Sequence, residues 1–278
     1  MRLLFCADIH GNEMQYFKIF QHAKNYDALI FGGDLCVKNL DMRSQRTFLE
    51  NYLIPRIKEL KEVKPDLKIY IMFGNDDFAG NLDVLNKHND EIYQVIMQRK
   101  LPFDDNFNIV GYPYIPVTPF RIKDWEKWDL GQKDNRQIFE LERDIILEGV
   151  QTWNMRYEGK KFSLDDKESI ESDLYELMAD EPEKNICIFH SPPFNTDLDV
   201  TYTKDHVGSL AMRMAIEGFQ PFLTLHGHIH ETVEMSGKYM DRLGDTISAS
   251  VGNHNTSQIP HALEIELPSR SVKRIRLE

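Results

Sequence analysis

The chain has 278 residues, 41% of them hydrophobic, enough to bury a sizeable core as one large domain with an insertion or as two domains. No apolar run reaches the roughly 18 residues of a membrane span, and the apolar part of MRLLFCADIH is too short for a signal peptide, so a soluble cytoplasmic protein is expected. The net charge of −12, with Lys and Arg dispersed, disfavours a long nucleic-acid footprint, although a metal could still supply positive charge locally for a small phosphate.

Arg2–Cys6 reads as a strand and Glu13–Ala23 as a helix, with Met14, Phe17, Ile19 and Phe20 on its apolar side. A strand over Ala28–Phe31 ends in Gly32-Gly33-Asp34, and a long helix follows from about Arg43 to Val63, where Pro55 is a candidate kink. Lys68–Phe73 is a strand ending in Gly74-Asn75-Asp76-Asp77, and Tyr93–Met97 and Asn108–Gly111 look like further short strands. From about Pro113 to Lys161 the pattern breaks down into an irregular segment rich in proline and aromatics, followed by a charged helix around Arg136–Leu147.

A helix is expected from Ser163, with Asp166 completing a capping box and Ile170, Leu174 and Leu177 inward. Asn185–Phe189 is a strand terminating at His190, Ser209–Glu217 a short helix, and Phe222–Leu225 a strand. The remainder reads as β-hairpins closing with Ala262–Leu267. Strands alternating with helices indicate an α/β fold. Cys6, Cys36 and Cys187 form no C-x-x-C pair, and Cys6 and Cys187 sit in apolar runs, so buried reduced thiols are expected.

The polar residues gather where strands end. The stretch LTLHGHIHE puts His226, His228 and His230 on alternate positions, which is either a solvated strand end or a metal site. Asp8-Ile9-His10-Gly11-Asn12, Gly33-Asp34, Gly74-Asn75-Asp76-Asp77 and His190 also follow apolar strands. Each motif alone is ordinary turn chemistry. Together they would converge on one crevice, because ligands in α/β sheets bind at the carboxyl ends of strands.

The ordered set D-x-H, G-D, G-N-x-D, H and G-x-H resembles the calcineurin-like metallophosphoesterase superfamily. The stretches HSPPFNTDLD, HVGS and LHGHIHE look more narrowly like its Icc-related phosphoesterases. The resemblance covers nearly the whole chain outside about 113–162. It implies a single domain over residues 1–278, with that segment as an insertion, built as two stacked mixed β-sheets flanked by helices in a four-layer α/β/β/α sandwich. It also implies two divalent metal ions, one held by Asp8, His10 and His230, the other by Asn75, His190 and His228, with Asp34 bridging. His226 has no ligand role in that pattern, and a buried supporting role is expected.

The implied chemistry is hydrolysis of a small phosphodiester or phosphomonoester by a metal-activated hydroxide, with a diester favoured. Mixed imidazole and carboxylate ligands suit Mn, Fe or Zn better than Mg. Asn12 is a candidate for substrate binding and equally for the N-cap of the helix starting at Glu13. Ser209 reads first as a cap. Ser191, Pro192 and Pro193 read as shaping the loop after His190.

One departure concerns catalysis. The family pattern usually places a histidine directly after the metal-binding asparagine, to protonate the leaving oxygen, and this chain has Asp76 there. Asp76 is therefore the candidate catalytic residue and is expected to be a poor general acid beside two cations. Two rival readings are a scaffold or regulatory protein with little catalysis, against which every ligand position is filled, and a nuclease, against which the acidic balance counts.

Overall fold

A computed structural model describes residues 1–38, 41–131 and 168–278, together with the two-residue strands Val150–Gln151 and Tyr157–Glu158. The expected helix over Arg136–Leu147 and the expected helix start at Ser163 with Asp166 lie outside these residues.

Two six-stranded mixed sheets form the centre. In the first, the strands Arg2–Cys6, Ala28–Gly32, Lys68–Met72 and Gln94–Val95 run parallel, and the hairpin His261–Glu266/Ser271–Arg276 adds antiparallel beside Arg2–Cys6. In the second, Asn108–Tyr112, Asn185–Phe189, Leu223–His226 and Thr246–Ser250 run parallel, with Arg99–Pro102 and Met240–Leu243 antiparallel at its edges.

The period-two alternation of strands sorts the side chains into layers. Leu3, Phe5, Ile30 and Met72 of the first sheet meet Ile109, Ile188, Leu223 and Leu225 of the second in one buried core between the sheets. Leu4, Cys6, Leu29, Phe31 and Ile71 point the other way, against Tyr16, Ile19 and Phe20 of the Glu13–Ala23 helix and Leu49, Leu53 and Ile57 of the helices that follow. On the far side, Val110, Tyr112, Cys187 and Phe189 pack against the helices Ile170–Met178 and Leu210–Phe219. The result is the expected order of helices, sheet, sheet, helices. All three cysteines are buried and free.

Several local expectations change. On the first helix the buried set is Tyr16, Ile19, Phe20 and Ala23, spaced i, i+3, i+4, i+7, whereas Met14 and Phe17 are about half exposed, on the opposite face. The long helix forms as Met42–Phe48 and Ile54–Val63 joined by a π turn over Leu49–Leu53. That wider turn brings Pro55 into the first turn of the next segment, where its missing N–H matters least. The helix at 170 is capped by Ser169 in a box with Ser172; Ile170 and Leu174 are buried and Leu177 is partly so. The final strand is Ser271–Arg276, not Ala262–Leu267, and a short helix, Thr232–Ser236, precedes the C-terminal hairpins.

Candidate metal centre

The carboxyl ends of the Arg2–Cys6, Ala28–Gly32 and Lys68–Met72 strands of one sheet, and of Asn185–Phe189 and Leu223–His226 of the other, open on the same edge. Asp8, His10, Asp34 and His230 offer oxygen and nitrogen atoms that all lie within 4.8 Å of one another. His10 Nε2 is 3.1 Å from His230 Nε2, and Asp34 Oδ2 is 3.5 Å from both His10 Nε2 and His190 Nε2. Asn75 Oδ1 is 3.1 Å from His190 Nε2 and 2.7 Å from His228 Nδ1. The structure thus gathers all seven expected ligands into two adjoining groups, with Asp34 between them.

The backbone that does this is strained. Asp8, His10, Asp34 and His228 all have positive φ, at 58°, 48°, 53° and 69°. Side chains other than glycine rarely adopt this region, and such outliers persist where surrounding structure over-determines them. Glycines allow the close approach: a Cβ on Gly33 (φ 109°) would lie 2.5 Å from His190 Nδ1, and one on Gly74 would lie 2.4 Å from Asp34 Oδ1.

Supporting bonds aim the rings. His190 Nδ1 donates to the Gly32 carbonyl at 2.9 Å, which turns Nε2 toward Asp34 and Asn75. His226 is fully buried, with Nδ1 on the Phe189 and Ser191 carbonyls and Nε2 on Thr224 Oγ1, so it fixes the loop that carries His190. Asp77 accepts the N–H groups of Leu35, Cys36 and Gly74, tying the loop after Asp34 to the loop of Asn75. Asn253, absent from the sequence reading, donates to the Ala7 and Asp8 carbonyls and to Gln15 Oε1. Gln45, also missed, donates to the Asp76 carbonyl and accepts from Phe78.

The electrostatics suit cations. Burial pushes His10, His228 and His230 down to about 4, 3 and 2, so these rings are neutral and keep lone pairs. Burial works to raise Asp34 as well, but His190 and His10 outweigh it and hold its carboxyl well below the usual range. Asp8 moves the other way, pushed up to about 7 by burial against the pull of His190. Asp8 Oδ2 is buried without a hydrogen-bond partner, the kind of orphaned acceptor a metal ion would satisfy. This donor set fits divalent ions, with mixed nitrogen and oxygen ligands as Mn, Fe and Zn accept.

The centre opens into a cavity of about 810 Å³. One wall is the stretch 116–122, from the segment expected to be irregular. Its two-residue strands Ile115–Pro116 and Glu126–Lys127 pair in parallel, and the buried Lys123–Glu126 ion pair (2.9 Å) organises the loop between them. Trp125 Nε1 donates to the Asp77 carbonyl and Asp124 accepts from the Ala79 N–H, so this wall is fastened to the Asn75 loop. Phe120 projects half exposed, its ring edge-on to His228 with centroids 6.4 Å apart.

Asp76 lines the cavity, and its carboxylate lies 3.1 Å from Lys38 Nζ, a residue the sequence reading did not single out. Asn12 does not line the cavity. Its Oδ1 caps the first helix through the N–H groups of Met14 and Gln15, and both amide hydrogens go to the Asn255 and Ser257 carbonyls. Ser209 caps the Leu210–Phe219 helix and donates to buried Asp129.

A two-sheet sandwich with histidines, carboxylates and an asparagine converging at one strand edge defines a metallophosphoesterase fold. The calcineurin-like phosphoesterase family model matches residues 1–232, and the chain belongs to that family. One crystal structure superposes with a TM-score of 0.65 at 15% identity, covering 100% of this chain and 99% of its own. TT1561 of Thermus thermophilus follows with a TM-score of 0.58 at 15% identity, covering 100% and 99%. At these identities the likeness is one of fold. The sequence comparison with curated proteins found no match.

Proposed function

We propose that this chain is a dinuclear metal-dependent phosphoester hydrolase acting on a small phosphodiester or phosphomonoester. The observation that carries the reading is the convergence of Asp8, His10, Asp34 and His230 ligand atoms within 4.8 Å, with Asp8 Oδ2 otherwise unpartnered. In this reading Asp8, His10 and His230 hold one ion, Asn75, His190 and His228 the other, and Asp34 both. Bound ions of this kind lower the pKa of water and polarise a phosphoryl oxygen.

The chain's own residues do the rest. Asn75, being neutral, leaves more of the metals' positive charge for the phosphate than a carboxylate would. Lys38, anchored by Asp76, sets an ammonium at the cavity mouth where a phosphate oxygen would arrive. The apolar wall from Pro116 to Ile122 offers room for a second ester arm, which supports a diester over a monoester. We read residues 1–278 as one domain, because the C-terminal hairpin completes the first sheet. A cytoplasmic location is in keeping with the three free buried cysteines.

The test is elemental analysis of purified protein beside turnover of an activated diester. Wild-type protein should carry two Mn, Fe or Zn ions per chain. Asp34→Asn, which removes the shared charge, should lose at least one ion and all measurable turnover. Undiminished turnover in Asp34→Asn after chelation and metal restoration would sink the two-metal assignment.

A further inference from the structure

The family pattern's leaving-group histidine is replaced here by Asp76, a carboxylate paired with Lys38, so the proton for an alkoxide leaving group must come from elsewhere. His206 lines the same cavity as Asp34, Asn75, His228 and His230, yet belongs to neither ligand group. Its ring is 35% exposed, and Nδ1 lies 2.7 Å from Oδ1 of Asp199, which is fully buried. Asp199 is held in turn by three backbone N–H groups, those of Asn195, Thr196 and Gly208. A carboxylate among four donors acts only as an acceptor, so Nδ1 of His206 carries hydrogen and Nε2 is the nitrogen left to the cavity. Both residues fall in the stretches NTDLD and HVGS, for which the metal centre provides no use.

The rest of the cavity narrows the choice. Lys38 is engaged with Asp76, whose charge helps raise the lysine's affinity for its proton despite partial burial. Asp129 is buried and spends both oxygens on Ser209 Oγ and the Leu210 N–H. An imidazole steered by a buried carboxylate is the group best suited to exchange a proton near neutral pH.

We propose that His206, oriented by Asp199, is the proton donor to the leaving group of the phosphoester. This rests on the reading of the site as a phosphoesterase. An oxygen derived from water forms the new bond to phosphorus, and the bond from phosphorus to the leaving oxygen breaks with its electron pair on that oxygen. The departing oxygen takes the Nε2 proton of the His206 imidazolium, and the neutral ring regains a proton from solvent. Asp199 accepts the Nδ1 hydrogen throughout and is a positioning residue.

The experiment measures kcat/KM of metal-loaded wild type, His206→Gln and Asp199→Asn on diesters whose leaving groups run from 4-nitrophenol to ethanol. Metal content is checked in each variant. General acid catalysis is worth ~10²–10⁴-fold, so His206→Gln should fall by that factor on the ethyl ester and by less than about tenfold on the nitrophenyl ester. Asp199→Asn should show the same selective pattern, more weakly. Added imidazole should restore ethyl-ester turnover to His206→Ala, which a merely structural histidine would not allow. Equal losses across the series, or no loss, overturn the assignment while leaving the phosphoesterase reading intact. A wild type that carries metal yet hydrolyses no ester in the series overturns both.

Discussion

Lys38 Nζ sits 3.1 Å from Asp76 Oδ2 at the mouth of the cavity, a cation and a carboxylate facing each other where the family pattern places an imidazole. Burial and the nearby Asp34 charge push the Asp76 carboxyl up to about 6, with Lys38 opposing them. Cations at the centre would favour the ionised form further. Asp76→Asn should therefore keep turnover of activated aryl diesters within about tenfold and leave the dependence on leaving-group pKa unchanged. A selective loss on alkyl esters in Asp76→Asn would place the proton on Asp76 instead.

Phe120 stands half exposed on the cavity wall with its ring edge-on to His228. Phe120→Ala should leave metal content and thermal stability nearly unchanged from wild type, because an exposed ring contributes little to the core. KM should rise several-fold for diesters with large apolar arms and hardly at all for a dimethyl ester. The comparison of the two KM values, with metal content alongside, decides it.

Asn253 holds the Ala7 and Asp8 carbonyls from beneath, and its Oδ1 accepts the His261 N–H. Asn253→Ala leaves these buried groups without partners, at a cost of about 1–3 kcal/mol. The expected result is a lower denaturant midpoint in metal-free protein, together with weaker metal retention during dialysis against a chelator. A variant with wild-type midpoint and metal content would show that the Asp8 loop holds without this amide.

Burial pushes His261 down to about 4, helped by Arg274 and Arg276. Its folded-state pKa lies below the unfolded value near 6.5, so between those values the unfolded chain binds more protons. Stability from this group is therefore complete above about pH 6.5 and falls as pH drops toward about 4. The drop in Tm from about pH 7.5 to about pH 5 should be smaller in His261→Gln than in wild type. Equal drops in the two proteins would place the acid sensitivity elsewhere.

The metal-centre candidates were legible because their chemistry is local: each follows an apolar strand within one to four residues, and parallel strands bring such ends together. The helix layers were legible from spacing, except where two apolar residues, Met14 and Phe17, lie on the solvent side of a helix whose core face is set by Tyr16, Ile19, Phe20 and Ala23. Lys38, Gln45, Asn253 and the Asp199–His206 pair were not singled out. Their partners are set by tertiary approach, as when Gln45 reaches the Asp76 loop or Asn253 the strand end at Ala7, and no spacing rule encodes that. The stretch 113–131 read as irregular because its order comes from a buried Lys123–Glu126 pair and from Trp125 bonded to Asp77, not from periodic apolar positions.

The first strand, which leads into the Asp8 loop, pairs on one side with Ala28–Gly32 and on the other with His261–Glu266, Arg2 standing opposite Glu266. A ribosome making this chain therefore releases the Asp8 strand long before its second neighbour exists. Asn253 and the whole C-terminal hairpin must emerge before the Asp8 loop is closed from below. Until then that edge of the nascent sheet stays open to pairing with other chains, so chaperone occupancy should persist until His261–Glu266 has emerged. A metal ion held jointly by Asp8 and His230 would have to wait in the same way, until residue 230 has left the ribosome.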